Sequence, residues 1–471
     1  MNGRREMKGL GTDVQALVGR GFGSLGGARY VLLQVAQPGA ARAWLRSLAV
    51  TTLAEAEARR LEWVCQLAFT AAGLRALGLP VDDVPGFAPE FLDGMAGDPS
   101  RSRRLGDVEE SAPEYWRWGS GEAEPHVLLM LLAGEGDIAA WQDAILGAMP
   151  PDACTLLRIN DASGPVGREP FGFVDGVSQP EVDWEGTLRP GGAKDRDYRD
   201  RIALGEFLLG HGNEYGFVAD HPVQRGIGRN GTYLVYRQLM QDVGGFWDWT
   251  ARIAGRDGAV ALAERMVGRG IDGQPLPELA AHGLNGFTFA GDPDGIACPV
   301  GGHVRRANPR SGDDPQGRRG FLRDVVSSLG FKGTAIHDAV ASARFHRLLR
   351  RGRPYGAAPE PLAVIAGEAV AQECGLHFIC LNASLARQFE FVQGSWIASP
   401  YFGGLSGEQD PLLGNRCPVR SGQVTDAFAW HDGDGNPRLV AGLPRFVTVV
   451  GGAYFFLPGI GGLARILEDA P

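Results

Sequence analysis

Ala28-Arg29-Tyr30-Val31-Leu32-Leu33-Gln34-Val35 reads as a buried strand. The run is apolar and β-branched enough for one. Pro38 to Leu48 follows with the character of a helix, and Leu61 to Phe69 is a second strand that leads into a short helical stretch ending near Gly78. Beyond a loop rich in Pro, Asp and Gly, His126 to Leu132 is a strand, Asp137 to Met149 a helix and Cys154 to Ile159 a strand. The order β-α-β-β-α-β is the ferredoxin-like one, in which antiparallel strands make one sheet with its helices on one face.

The same order recurs downstream with longer insertions. Thr232 to Met240 reads as a strand, Gly244 to Ala254 and Ala259 to Val267 as helices, and Phe345 to Arg350 and Gly375 to Leu381 as strands. Ala383 to Phe391 reads as a helix, Phe446 to Leu457 as a last strand, and a C-terminal helix lies near Leu463 to Leu467. The expectation is an α+β protein of two tandem ferredoxin-like domains with antiparallel sheets, residues 1–165 and 166–471. Asp183 to Asp200 and Ser311 to Lys332 are charged and glycine-rich, and are expected as surface loops capping a site.

At 471 residues the chain has room for two compact domains. Its 44% hydrophobic and 21% charged residues are those of a soluble globular protein, and 70 glycines with 30 prolines imply many ordered loops. A formal net charge of -9 argues against a nucleic-acid partner, which needs a concentrated basic face. No window approaches the roughly 20 apolar residues of a membrane span, and Met1 to Tyr30 lacks the apolar stretch of a signal peptide, so a cytoplasmic location is expected. Cysteines 65, 154, 298, 374, 380 and 417 show neither a CxxC pair nor a regular spacing and are expected as reduced thiols.

Three stretches carry candidate chemistry. In Gly172-Phe173-Val174-Asp175-Gly176, continuing Val177-Ser178-Gln179-Pro180, glycines flank a carboxylate that follows two apolar residues. An Asp-Gly pair is most often a turn and nothing more, but here the turn would present an acid beside Phe173 and Val174, where it could shuttle a proton. In Cys298-Pro299-Val300-Gly301-Gly302-His303-Val304-Arg305-Arg306-Ala307-Asn308-Pro309-Arg310, paired glycines let backbone or a flat ligand approach His303. A lone histidine is more often structural; the other eight form no HxxxH or HxH pair, which favours a single axial ligand to haem over a multi-histidine metal site. In Phe345-His346-Arg347-Leu348-Leu349-Arg350-Arg351-Gly352-Arg353, strand alternation turns one of two adjacent arginines inward, where it needs an anion: a bound group or an internal carboxylate.

Together these stretches resemble the dye-decolourising peroxidases. Gly172 to Gly176 matches that family's GxxDG motif, His303 to Arg310 is similar to its haem-ligand region, and Leu349-Arg350-Arg351-Gly352 to its distal-arginine strand. Gly375 to Asn382, continuing to Arg387-Gln388-Phe389-Glu390-Phe391-Val392-Gln393, is similar to a fourth block. The pieces fall in the family's order and cover roughly Ala28 to Leu467, and the length fits the larger bacterial and fungal-like subgroup. The resemblance implies one haem b per chain in a cavity of the C-terminal domain, hydrogen peroxide and bulky aromatic donors as substrates, and room for a homo-oligomer. It makes His303 the proximal ligand, Asp175 the distal acid and base, Arg350 the distal cation, and Leu376 and Phe378 the walls of the distal pocket. Arg310 is expected to pair a haem propionate, and Glu390 to hydrogen-bond the second nitrogen of His303. Because an ordinary Asp titrates near ~3.9, activity is expected to favour acid. An iron-releasing haem handler of the same fold, and a non-catalytic ferredoxin-like module, are the rival readings.

Overall fold

The computed structural model describes residues 9–163, 166–188, 200–289, 291–310, 342–368, 372–419 and 422–468. The first half contributes strands β1 (Gly27–Val35), β2 (Trp63–Phe69), β3 (Val127–Ala133) and β4 (Cys154–Asp161). A short parallel pair follows, β5 (Glu181–Asp183) with β6 (Arg201–Ala203). The second half contributes β7 (Thr232–Gln241), β8 (Leu349–Arg350), β9 (Arg353–Tyr355) and β10 (Cys374–Asn382). The hairpin of β11 (Phe428–His431) and β12 (Pro437–Val440) precedes β13 (Val447–Leu457).

The main sheet runs β4-β1-β3-β2-β13-β7-β10-β8, with β9 also on β10. Each half therefore has the ferredoxin-like order, the last strand beside the first and the third beside the second, and every pairing in it is antiparallel. The halves join edge to edge where Phe69 of β2 meets Phe456 of β13. The sheet then curls until its halves pack face to face. Tyr30 of β1 meets Tyr236 of β7 with ring centroids 5.5 Å apart, and Asn160 of β4 donates to the Tyr236 hydroxyl at 2.8 Å.

Alternation along the strands sorts residues between this inner layer and the two outer faces. Tyr30, Leu32, Leu128, Met130, Leu234, Tyr236 and Ile379 belong to the inner layer. On the outer face of the first half, Val31, Leu33, Leu129 and Leu131 pack with Trp44 and Leu45 of the helix Pro38–Ser47 and Ile138 of the helix Ile138–Gly147. The second half packs outward against the helices Val243–Ala254 and Ala259–Val267. All six cysteines are unpaired, and among the described residues no helix is long and apolar enough to cross a membrane.

Two expected elements differ. The strand expected over Phe345–Arg350 is a 3-10 turn, Ser342–His346, followed by only two strand residues. Arg344 pairs with Glu214 at 2.7 Å, Phe345 stacks on Tyr215 at 3.9 Å and His346 stacks on Phe391 at 3.9 Å. Glu214 and Tyr215 are neighbours on one loop and Phe391 lies on a distant segment, and the turn lets all three contacts form at once. The helix expected at Ala383–Phe391 begins at Ala386, continues to Ile397 and is wound as a π-helix. Its bonds Glu390 N–H to Leu385 O and Ala398 N–H to Gln393 O span five residues, at 2.9 Å each. Residues 189–199, within the expected loop Asp183–Asp200, and all of Ser311–Lys332 lie outside the described residues.

Candidate active site

A cavity of ≈ 260 Å³ opens on the outer face of the second half. Its floor is the sheet: Arg237, Leu239 and Gln241 of β7, Leu376 and Phe378 of β10, and Val447 and Val449 of β13. Over it come the loop Phe171–Asp175, the helix His303–Ala307, Arg347 to Arg350, the π-wound segment through Phe389, Val392 and Ile397, and the turn Leu412–Asn415. Asp175, His303, Arg350, Leu376 and Phe378, distant in sequence, thus share one lining.

Asp175 ends a tight loop tied down by its own backbone. Gly172 sits at φ +99°, a conformation that suits glycine, and a Cβ there would lie 2.7 Å from Pro361. Phe171 and Phe173 anchor the loop on Phe246 and Trp247, and the Trp247 indole donates to Phe171 O at 3.1 Å. Asp175 accepts the Gly176 N–H at 2.6 Å and a guanidinium N–H of Arg350 at 3.2 Å.

Arg350 is held by strand pairing opposite Cys380 and by its N–H, which donates to the Gln179 side chain at 3.0 Å. Its neighbour Arg351 points elsewhere and donates to the carbonyls of Leu17 and Val18. Of the two, only Arg350, a third exposed at the cavity, meets a carboxylate; Arg351 makes do with carbonyls while burial pulls its pKa down to about 10.

His303 opens a short helix after Gly302, where a Cβ would lie 3.2 Å from the carbonyls of Arg265 and Pro299; the glycine admits backbone there. The imidazole Nδ1 bonds a carboxylate oxygen of Asp410 at 2.9 Å, and no other bond from the ring is seen among the described residues. Asp410 is fully buried, and its other oxygen accepts the N–H groups of Leu412 and Leu413. Burial alone would lower the pKa of His303, but the charge and hydrogen bond of Asp410 outweigh it and raise it. Burial would likewise raise Asp410, and the same pairing holds it below the usual carboxylate range.

Two expected site residues lie elsewhere. Glu390 accepts the Tyr454 hydroxyl at 2.9 Å and pairs with Arg101 at 2.9 Å, so the partner of His303 is Asp410. Arg310 is absent from the cavity lining. Its guanidinium is buried over the Phe287 ring, 4.0 Å from the centroid, and donates to the carbonyls of Asn285 and Phe287, a geometry set by its positive φ of 57°. Reading by motif passed over Asp410 because Asp410-Pro411-Leu412-Leu413 looks like an ordinary Asp turn, which it also is. It passed over Glu169 as well. That carboxylate lies fully buried on the lining, where burial pushes its pKa up to about 7.

The donor set suits an iron porphyrin: one imidazole with its far nitrogen fixed by a carboxylate, apolar walls, and an acid and a guanidinium on the same lining. Among the described residues no group of three or more His, Cys, Asp or Glu is placed to hold a metal ion.

No family model matches the chain. It is 28% identical over 439 residues to the dye-decolorizing peroxidase msp1 of Mycetinis scorodonius, covering 85% of this chain and 76% of that one. To a multifunctional dye peroxidase of Amycolatopsis sp. it is 28% identical over 444 residues, 88% of this chain and 86% of that one. The fold matches a solved dye-decolorizing peroxidase in complex with 2,6-dimethoxyphenol with a TM-score of 0.74 at 23% identity, across 97% of this chain and 99% of the other. A peroxidase of Auricularia auricula-judae matches with a TM-score of 0.73 at 23% identity, across 97% and 100%. The chain is thus similar to dye-decolorizing peroxidases along most of its length and shares the fold of solved ones.

Proposed function

We propose that this chain reduces hydrogen peroxide and oxidises bulky aromatic, dye or phenolic donors in one-electron steps, with haem b held in the cavity through His303. The observation that carries the reading is the convergence of the His303–Asp410 pair and the Asp175–Arg350 pair on one cavity. The names of the relatives support the reaction class, and the 2,6-dimethoxyphenol complex of a neighbour supports phenolic donors.

Bound haem would supply the redox chemistry, two-electron reduction of peroxide and one-electron oxidation of donors. The chain's own residues do the rest. His303 would hold the iron through Nε2, and Asp410, bonded to Nδ1, would fix the ring's tautomer and increase its electron donation. The Asp175 carboxylate takes the proton from the near oxygen of peroxide and returns it to the far one, so that water can leave. The Arg350 guanidinium donates to the negative charge that develops on the departing oxygen, and the pairing of β8 with β10 keeps it from wandering. Leu376 and Phe378 keep the reacting region dry, which strengthens both interactions. Arg347, buried on the lining and paired with Asp200 at 3.0 Å, is the cation placed to meet a carboxylate side chain of the porphyrin.

The test is spectroscopic first. The purified chain loaded with haem should show a Soret band, should bleach an anthraquinone dye on adding peroxide, and should lose the histidine-ligated spectrum in His303→Ala. A haem-loaded protein that left dye and peroxide untouched would instead favour a haem-handling role, and a chain that took up no haem would favour a non-catalytic module.

A further inference from the structure

The loop that leads to Asp175 is a turn the chain repeats, at Gly212–Val218, Arg269–Pro275 and His431–Pro437 among the described residues, and the first of these is the most instructive. Arg168-Glu169-Pro170-Phe171-Gly172-Phe173-Val174 and Gly212-Asn213-Glu214-Tyr215-Gly216-Phe217-Val218 follow the same backbone. Each is closed by a bridge between its first and last residues, and each has its glycine at positive φ, 99° and 80°. In each, the second residue donates its N–H to the sixth residue's carbonyl at 2.9 Å and accepts from the glycine N–H at 2.8 Å. The second residue's side chain also clamps the turn in both. Glu169 accepts the N–H groups of Phe171 and Phe173 at 3.0 Å, and the single amide oxygen of Asn213 accepts those of Tyr215 and Phe217 at 3.0 Å.

A neutral amide therefore suffices to make this turn, and a buried acid costs more than a buried amide. The turn itself does not require the acid that lines the cavity at Glu169: Asn213 makes it with an amide, and Gly270, also on the lining, makes it with no side chain at all. Gln241 supplies a second observation. Its Nε2 donates to Glu169 at 2.9 Å, while its own Oε1 is buried and has no hydrogen-bond partner. A half-turn of that amide would bring Oε1 to accept from a protonated Glu169, so Gln241 can serve both charge states.

We propose that Glu169 is a positioning residue for Asp175 that also sets the charge of the cavity wall, so that gain or loss of its proton changes how readily the cavity admits an anion. Through Phe171 and Phe173 it fixes the loop ending at Asp175. The titratable and charged groups around it are Asp175 on its own loop, Arg237 of β7, Cys374 of β10, His303, and Arg269 and Arg350 on the lining. Its charge adds to that of Asp175 and opposes the arginines. The idea rests on the haem reading above only for its first test.

That test measures azide affinity by Soret shift on the haem-loaded chain from about pH 5 to about pH 9. Wild type should lose about tenfold in affinity as pH rises through neutrality, and Glu169→Gln and Glu169→Asn should hold their affinity over that step. A side chain that only shaped the loop would shift affinity by the same factor at every pH, and parallel profiles would overturn the proposal. Infrared difference spectra of the wild-type chain, with or without haem, give an independent decision. A carboxylic-acid C=O band should vanish as pH rises through neutrality, and no such band in wild type would equally overturn the proposal. A missing Soret band would count against the haem reading and leave the infrared result to decide this one.

Discussion

The two halves of the sheet share a strand order and differ in what their outer faces carry. On β1 and β3 those faces are Val31, Leu33, Leu129 and Leu131, all fully buried, with two helices packed over them. At the equivalent places on β7 and β10 stand Arg237, Leu239, Gln241, Leu376 and Phe378. A polar side chain in such a layer demands its own partner. Arg237 takes Asp107 in a buried ion pair, and Gln241 takes Glu169. The same topology thus yields a solid core in one half and a lined cavity in the other, and a few polar residues on two strands mark the difference.

The comparison is broken most sharply at the chemistry. Asp175→Asn keeps the shape of a 40% exposed side chain but removes the proton carrier, so reaction with peroxide should slow by ~10²–10⁴-fold while thermal stability hardly moves. A rate within a factor of about three of wild type would remove Asp175 from its role.

Next comes the cost of each outer face. Asp107→Ala leaves Arg237 buried without its anion and should cost about 3–5 kcal/mol in urea unfolding, with the haem spectrum displaced because both residues line the cavity. Leu129→Ala in the solid half should cost about 2–5 kcal/mol through the void it leaves, with the haem spectrum unmoved. Equal spectral changes in the two variants would mean that the halves do not divide the work.

A smaller effect separates the halves by pH. Burial raises the pKa of Glu169 from 4.5 to about 7, so between those values the folded chain holds a proton that the unfolded chain releases. The native state is then favoured below about pH 4.5 and loses roughly 3 kcal/mol as pH rises to about 7, at 1.36 kcal/mol per unit. Unfolding free energies of wild type and Glu169→Gln, measured across this window, should diverge with pH in favour of the variant; parallel curves would contradict the raised value.

Much of this was legible in the sequence, for a physical reason. Runs such as ARYVLLQV and VLLMLLA have to be buried, and their length and punctuation leave few choices besides strands. Asp175, His303 and Arg350 sit in local patterns, a glycine-flanked turn, a glycine pair and an arginine run, that stand out without knowledge of the fold. Asp410 and Glu169 act through contacts across the fold, 107 and 72 residues from His303 and Gln241 respectively, and no local pattern announces such a distance. The π-winding of Ala386–Ile397 was hidden as well, since π- and α-helices draw on the same residues and differ in which carbonyl each N–H reaches.

The smallest expected effect decides between the two carboxylates considered for His303. Asp410→Asn keeps the shape and can still accept at its remaining oxygen, but it loses the charge that holds the imidazole. Haem affinity should fall by about 10–100-fold. Glu390→Gln should leave that affinity where it is, because Glu390 is occupied by Tyr454 and Arg101, and should cost only about 1–3 kcal/mol of stability through the weakened charge-assisted bonds. Titrating haem into both variants compares a charge one bond from the ligand with a charge outside the cavity lining. If Glu390→Gln weakened haem binding as much as Asp410→Asn, the cavity's electrostatics would extend through Tyr454 into β13, and the outer face of the second half would have to be regarded as one coupled surface.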